Sequence, residues 1–472
     1  MTLNAELAWL LGESAAVMHV AIASAVTVHV LLYKRNVGAA VSWIGMAWLS
    51  PFLGGLLYAT MGINRVKRRA QRLRRQRLPL GPGEEGVARS AADDPLSPLE
   101  FAVGRLTGLP CEPGNTIEML RSGDQAYPRM LEAIGAAQKS VGLQSYIFRA
   151  DKAGEAFHQA LIQAQRRGVE VRVLIDGVGG GYFWSGTYNH LSRAGVPIAR
   201  FLHSYFPWRM PFVNLRNHRK VLVIDGRLAF TGGLNIGAEN IRADDPPHIV
   251  LDSHFRLEGP IVDQLTDAFA DDWLFATGEK LLTENWFPPL AKVGQVTARV
   301  VTSGPDEDME QIEFVALHAI SCARKSIRII TPYFLPPDPL TMSLGLAALR
   351  GVTVDIVLPE HSNHTILDWA RRVPLRPLIE AGCRVWLMPA PFDHSKLMVV
   401  DDAWALIGSA NWDTRSFRLN FELNVELHDR DFAGKLAAVA PTTRRLALAE
   451  LDGDSLPVRL RNSAARLLQP YL

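Results

Sequence analysis

The feature that most constrains this chain is a motif that occurs twice. Residues 217–235 read NHRKVLVIDGRLAFTGGLN, and residues 393–411 read DHSKLMVVDDAWALIGSAN. In each, a His is followed two residues later by a Lys and five after that by an Asp: His218, Lys220 and Asp225, then His394, Lys396 and Asp401. A lone strand His is usually structural and a lone Lys usually solvated. Recurrence at identical spacing reverses that reading for all four. VLVID and LMVVD are unbroken apolar runs typical of buried strands, in which successive side chains alternate between faces. His and Lys therefore share one face and Asp takes the other, which suits Asp225 and Asp401 to the turn that follows. Each copy offers one imidazole and one ammonium to a common space.

The flanking sequence repeats as well. Ala133–Phe148 precedes a helix (Ala156–Gly168), the strand VEVRVLID (Val169–Asp176), the unit RAGVPIARF (Arg193–Phe201) and the first motif. Ala316–Phe334 precedes a helix ending at Gly351, the strand VTVDIVLP (Val352–Pro359), EAGCRVWLM (Glu380–Met388) and the second. Helices alternating with apolar strands imply α/β halves with mixed or mainly parallel sheets covered on both faces. The same order sets Tyr146 and Tyr333 at matching strand ends, where sites in such sheets gather.

Ahead of the repeats lie two uncharged stretches, Ala15–Tyr33 and Ala39–Asn64, each long enough to cross about 30 Å of hydrocarbon. Glu6 and Glu13 precede the first, where a cleaved signal peptide would be basic. Ser50-Pro51 and Gly54-Gly55 suit a bend in the second. Arg65–Arg77 then carries eight basic residues and no acid, although the whole chain has a net charge of only +2. Basic charge concentrated beside an apolar stretch marks the cytoplasmic side and attracts anionic headgroups, whereas a nucleic-acid footprint would spread over the catalytic part. Residues 78–98, rich in Pro, Gly, Ser and acids, read as a linker. The expected division is anchor 1–77, linker 78–98, halves 99–290 and 291–430, and a helical tail 431–472, whose Leu456–Leu472 segment is amphipathic. Three scattered cysteines, Cys111, Cys322 and Cys383, indicate buried thiols rather than a disulfide framework or zinc site.

The paired motifs, the GGLN and GSAN that close them, TPYFLP (Thr331–Pro336) and TRSFRLNFELNVEL (Thr414–Leu427) resemble the phospholipase D superfamily. With the N-terminal apolar stretches, the likeness is greatest to its bacterial cardiolipin synthase branch. The resemblance implies two duplicated α/β/α sandwich halves with the active site between them, behind a two-segment helical anchor in the inner membrane, multi-pass, with the catalytic part cytoplasmic. It counts Asp225 and Asp401 with His218, Lys220, His394 and Lys396 in the catalytic set. It puts Asn235, Asn411 and Ser409 on the substrate phosphate, Glu422 as the carboxylate orienting one histidine, and Asp252 as its first-half counterpart. Gly233 stands where the second copy has Ser409, so a serine contact is expected on one side only.

The chemistry of a phosphodiester asks for the same groups. Attack on this anion needs a nucleophile, cations for the phosphoryl oxygens and an acid for the leaving alkoxide. Two facing His-Lys pairs supply all three without a metal or other cofactor. Sequence symmetry does not choose between the imidazoles; the resemblance makes His218 the nucleophile and His394 the acid and then base. Expected partners are phosphatidylglycerol, anionic lipids and the membrane, not nucleic acid, with homo-oligomerisation left open. Phosphatidyl transfer between two phosphatidylglycerols is the leading activity. A phosphodiesterase using water or another alcohol is the alternative, and a scaffold with a dead site is disfavoured by two intact motifs.

Overall fold

The computed structural model describes residues 2–34, 37–62, 95–203, 215–244, 246, 248–304, 310–439 and 444–469. The basic run Arg65–Arg77, the linker as far as residue 94, and the apolar FPWRMPF at 206–212 lie outside the described residues.

At the N-terminus a helix runs from Thr2 to Tyr33, and its segment Gly12–Tyr33 (22 residues, mean hydropathy 2.0) is long and apolar enough to cross a membrane. The second apolar stretch is not one continuous helix. It divides at Ser50 into helices Val37–Leu49 and Pro51–Leu57, followed by a π turn at Tyr58–Gly62. Pro51 lacks the amide that would continue the first helix and starts the second instead. Thirteen residues give about 20 Å of helix, short of a bilayer core. Polar groups here bond to each other: His29 Nδ1 meets the Tyr58 hydroxyl at 2.7 Å, and Trp48 Nε1 donates to Thr27 Oγ1.

Both halves belong to a second compact unit. The first half contributes β1 (Glu112–Arg121), β2 (Ser140–Ser145), β3 (Glu170–Asp176), β4 (Ile198–Phe201), β5 (Val221–Ile224), β6 (Leu228–Gly232) and β7 (Ser253–Glu258). The second contributes β8 (Val296–Ser303), β9 (Ser326–Ile330), β10 (Thr353–Pro359), β11 (Arg384–Met388), β12 (Leu397–Val400), β13 (Trp404–Gly408) and β14 (Asn420–His428). They form one sheet in the order β11-β10-β9-β12-β13-β14-β8-β1-β7-β6-β5-β2-β3-β4. The order is the same read outward from the antiparallel β1–β8 contact in either direction, so the repeat in sequence is a repeat in topology.

The sheet is mixed rather than mainly parallel. Among the strands named above, the outer β2-β3-β4 and β9-β10-β11 run parallel, and each motif strand joins them antiparallel. Helices cover both faces. Val141 and Leu143 of β2 pack with Phe157 and Leu161 of helix Lys152–Arg166, while Gly142 between them backs onto Phe269 of helix Ile261–Thr277. Both faces of β2 are thus covered, and all six of its residues are buried, the polar Ser140, Gln144 and Ser145 included.

Candidate active site

Each motif reaches the site through a short extended segment docked on the opposite half. Arg216–Asn217 pairs in parallel with Asn420–Phe421, and the His218 amide donates to the Phe421 carbonyl at 2.8 Å. Phe392–Asp393 pairs with Val250–Leu251, and the His394 amide donates to the Leu251 carbonyl at 2.7 Å. The next residue on each partner segment is an acid. Glu422 Oε2 lies 3.0 Å from His218 Nδ1, and Asp252 Oδ2 lies 2.8 Å from His394 Nδ1. Each imidazole is therefore oriented by a carboxylate from the other half. With Nδ1–H donated, Nε2 keeps its lone pair.

The lysines fold back beside their histidines. Lys220 Nζ donates to the His218 carbonyl at 2.6 Å, and Lys396 Nζ to the His394 carbonyl. Both ammonium groups are buried. Burial, opposed by Glu422, lowers Lys220 to about 7; burial, opposed by Asp252 and Glu422, lowers Lys396 to about 8. Burial likewise lowers His218, against the pull of Glu422, and with Lys396 takes His394 down to about 4. Burial pushes the other way on Glu422 and Asp252, but the adjoining imidazoles and lysines outweigh it and hold both acids below the usual carboxylate range. Tyr146 meets His218 edge-on at 4.9 Å between ring centroids, and Tyr333 meets His394 likewise at 5.9 Å, matching places as the repeat implies.

Two expected site residues fall elsewhere, and a third lies in the site with another partner. Asp225 and Asp401 stand at turns in left-handed backbone (φ 52° and 54°). Asp225 accepts the amides of Gln138, Lys139 and Ser140, and Asp401 those of Arg324, Lys325 and Ser326. They fix the start of the adjoining strand and do not face the imidazoles. Ser409, expected on the phosphate, is committed to the carboxylate: its Oγ donates to Glu422 Oε2 at 2.6 Å and accepts the Leu423 amide. Gly233 leaves matching room for Asp252, since a Cβ there would stand 2.3 Å from Asp252 Oδ1. Asn235 Oδ1 accepts the Ile147 amide at 3.2 Å, whereas Asn411 Oδ1 is buried without a partner.

Several supports carry no motif. Arg219, between His218 and Lys220 but on the opposite face, donates to Asp272 Oδ1 and to the Glu422 carbonyl. Arg121 plays a similar part near His394, donating to Ser253, Ser395 and Asp393. Asp176 accepts the Asn217 amide at 2.7 Å. Their only sequence signal is a charged residue at the end of, or beside, an apolar strand.

A family model described as "Cardiolipin synthase, PLD-like domain" matches residues 130–273 and 316–440. The major cardiolipin synthase of Bacillus subtilis is 32% identical over 93% of this chain and 95% of its own length. A cardiolipin synthase of Geobacillus thermodenitrificans is 32% identical over 93% of this chain and 90% of its own. The crystal structure of a phosphatidylserine synthase from Haemophilus influenzae, 17% identical, shares the fold with a TM-score of 0.59, covering 75% of this chain and 95% of that one. With its duplicated sheet and paired motifs, the chain belongs to the cardiolipin synthase family of phospholipase D-like proteins.

Proposed function

We propose that this protein is a cardiolipin synthase that transfers a phosphatidyl group from one phosphatidylglycerol to another, releasing glycerol, through a phosphohistidine. The observation that carries the reading is the crossed pairing of two imidazoles with two carboxylates beside two lysines. With both imidazoles neutral, the lysines and carboxylates balance. A phosphodiester adds one negative charge, which favours one added proton and therefore one imidazolium. One His is then the nucleophile and the other the acid.

In this mechanism His218 Nε2 attacks phosphorus, its Nδ1–H held by Glu422. The bond from phosphorus to the glycerol oxygen breaks, and His394 gives that oxygen its proton. Lys220, Lys396 and Asn411, with Asn235, hold the phosphoryl oxygens. Neutral His394 then takes the proton of a glycerol hydroxyl on the second phosphatidylglycerol, whose oxygen displaces His218. One phosphodiester replaces another of similar energy, so no nucleotide is consumed. The apolar N-terminal helix, with the second apolar stretch as a two-segment anchor, holds the enzyme in the membrane, multi-pass with the catalytic unit cytoplasmic. The positive run Arg65–Arg77 supports that orientation.

Histidine variants test the assignment. A substrate with a good leaving group needs little protonation, so His394→Ala should still phosphorylate His218 and then hold the adduct, because no base activates the acceptor. His218→Ala should form none. Intact-protein mass spectrometry decides it: an adduct in the His218→Ala protein and none in the converse variant reverses the roles.

A further inference from the structure

The loop after β3 is a rigid arch that lifts two aromatic side chains out of the fold. Asp176 Oδ1 accepts the amides of Val178 and Gly179, the Asp176 carbonyl accepts that of Gly180, and Ser185 caps helix Gly186–Arg193. Between these ties, Phe183 is 83% exposed and Trp184 73%. A soluble fold gains nothing by stiffening a loop that shows Phe-Trp to water. Residues 177–186 carry no charge, and the nearby cation Arg200 lies over the Tyr188 ring at 4.3 Å.

The arch is joined to the site. Its Gly179 lies against the Tyr146 ring, where a Cβ would come within 2.4 Å, and Tyr146 is edge-on to His218. Asp176 at its base accepts the Asn217 amide, next to His218.

The second half presents a comparable feature beside Tyr333. Helix Leu456–Arg466 packs Ala465 into a cluster with Tyr333, Leu367 and Ala370, and Arg461 lies over Trp369 at 4.5 Å. Packing thus uses its Asn462–Ala465 side and turns its leucines outward: Leu456, Leu460 and Leu467 are 66%, 62% and 80% exposed. Arg459 flanks them in the open, and Arg466 does so while paired with Asp338 at 3.0 Å. An apolar stripe bordered by arginines has the composition of a helix lying in a bilayer interface.

We propose that the Phe183–Trp184 arch and the outward leucines of helix Leu456–Arg466 are two feet by which the catalytic unit stands on an anionic phospholipid bilayer, one beside the tyrosine of each half. This rests on the lipid-transfer reading above. Aromatic rings favour the headgroup level, leucines enter the acyl boundary, and arginines meet phosphates. Glycerophospholipid headgroups then reach the two histidines without leaving the membrane.

The test uses full-length protein with two substrates, phosphatidylglycerol in vesicles and monomeric dihexanoyl-phosphatidylglycerol in solution. Phe183→Ser/Trp184→Ser and Leu456→Ser/Leu460→Ser/Leu467→Ser should each lose about tenfold or more in kcat/KM on vesicles and stay within about twofold on the monomeric substrate. Equal losses on both substrates, or none on either, overturn the proposal. A wild-type protein that makes cardiolipin from neither substrate refutes the lipid-transfer reading instead. Trp184 gives a second readout independent of turnover. The difference in fluorescence between wild type and Trp184→Phe should be quenched by lipids brominated near the headgroup, and an unquenched difference places the arch in water and overturns the proposal.

Discussion

Burial is what tunes each group of the site, and the carboxylates decide which form of each imidazole survives it. Glu422 and Asp252 lie at Nδ1 of their histidines and, as carboxylates that can only accept, favour the proton there, which leaves Nε2 as a lone pair or, when protonated, as an acid. The lysines carry the clearest pH consequence. With Lys220 at about 7 and Lys396 at about 8, the site loses its ammonium charge as pH rises through that window. Below it both cations are present to bind phosphate, so kcat/KM should fall on the alkaline side between about pH 7 and 8. A bound phosphodiester favours the ammonium form and moves the alkaline limb of kcat to higher pH. Separate profiles of kcat and kcat/KM check this; coincident limbs above pH 9 would mean that the lysines are not desolvated. Ser409 and Gly233 fit the same logic. Glutamate reaches farther than aspartate and meets a serine hydroxyl, while the shorter Asp252 needs the space a glycine leaves.

At the scale of the elements, each motif strand ends in a turn whose aspartate ties down the strand beside it. Asp225→Ala removes the acceptor for three amides and puts a Cβ residue without side-chain hydrogen bonding into left-handed backbone. The expected cost is about 2–4 kcal/mol of stability, with kcat of the folded enzyme changed less than about threefold. Denaturant titration and active-site-normalised kinetics measure the two; an intact midpoint with abolished kcat would return Asp225 to the catalytic set. Residue spacing was enough to expose His218, Lys220, His394 and Lys396, and parity within VLVID and LMVVD separated the aspartates from them. The crossing of Glu422 to His218 was not legible, because the pairing of Arg216–Asn217 with Asn420–Phe421 joins residues about two hundred apart and leaves no periodicity. Ser409 misled for a related reason: its partner carboxylate sits on the neighbouring strand β14. The antiparallel centre of the sheet was hidden too, since a strand buried on both faces has the same apolar run in either direction.

For the whole molecule, two questions of topology and chemistry remain joined. In the proposed orientation the basic run after residue 64 and the catalytic unit share the cytoplasmic side, so a reporter fused after Pro98 should report the cytoplasm, and a periplasmic signal would invert the arrangement. The break at Ser50-Pro51 makes the site of a second fusion, within residues 34–37, informative. A cytoplasmic signal there means that the second stretch enters and returns, and a periplasmic one that it crosses. Duplication explains why one chain brings two imidazoles together: each half supplies the carboxylate that bonds the other half's histidine, so this arrangement exists only where the two copies meet. In the proposed mechanism, that meeting is what permits exchange between two phosphodiesters. The most direct test is to incubate the purified protein with phosphatidylglycerol as the sole lipid and follow products by mass spectrometry. Cardiolipin and free glycerol should accumulate in equal amounts, with no nucleotide added; phosphatidic acid without cardiolipin would contradict the account and make water the acceptor.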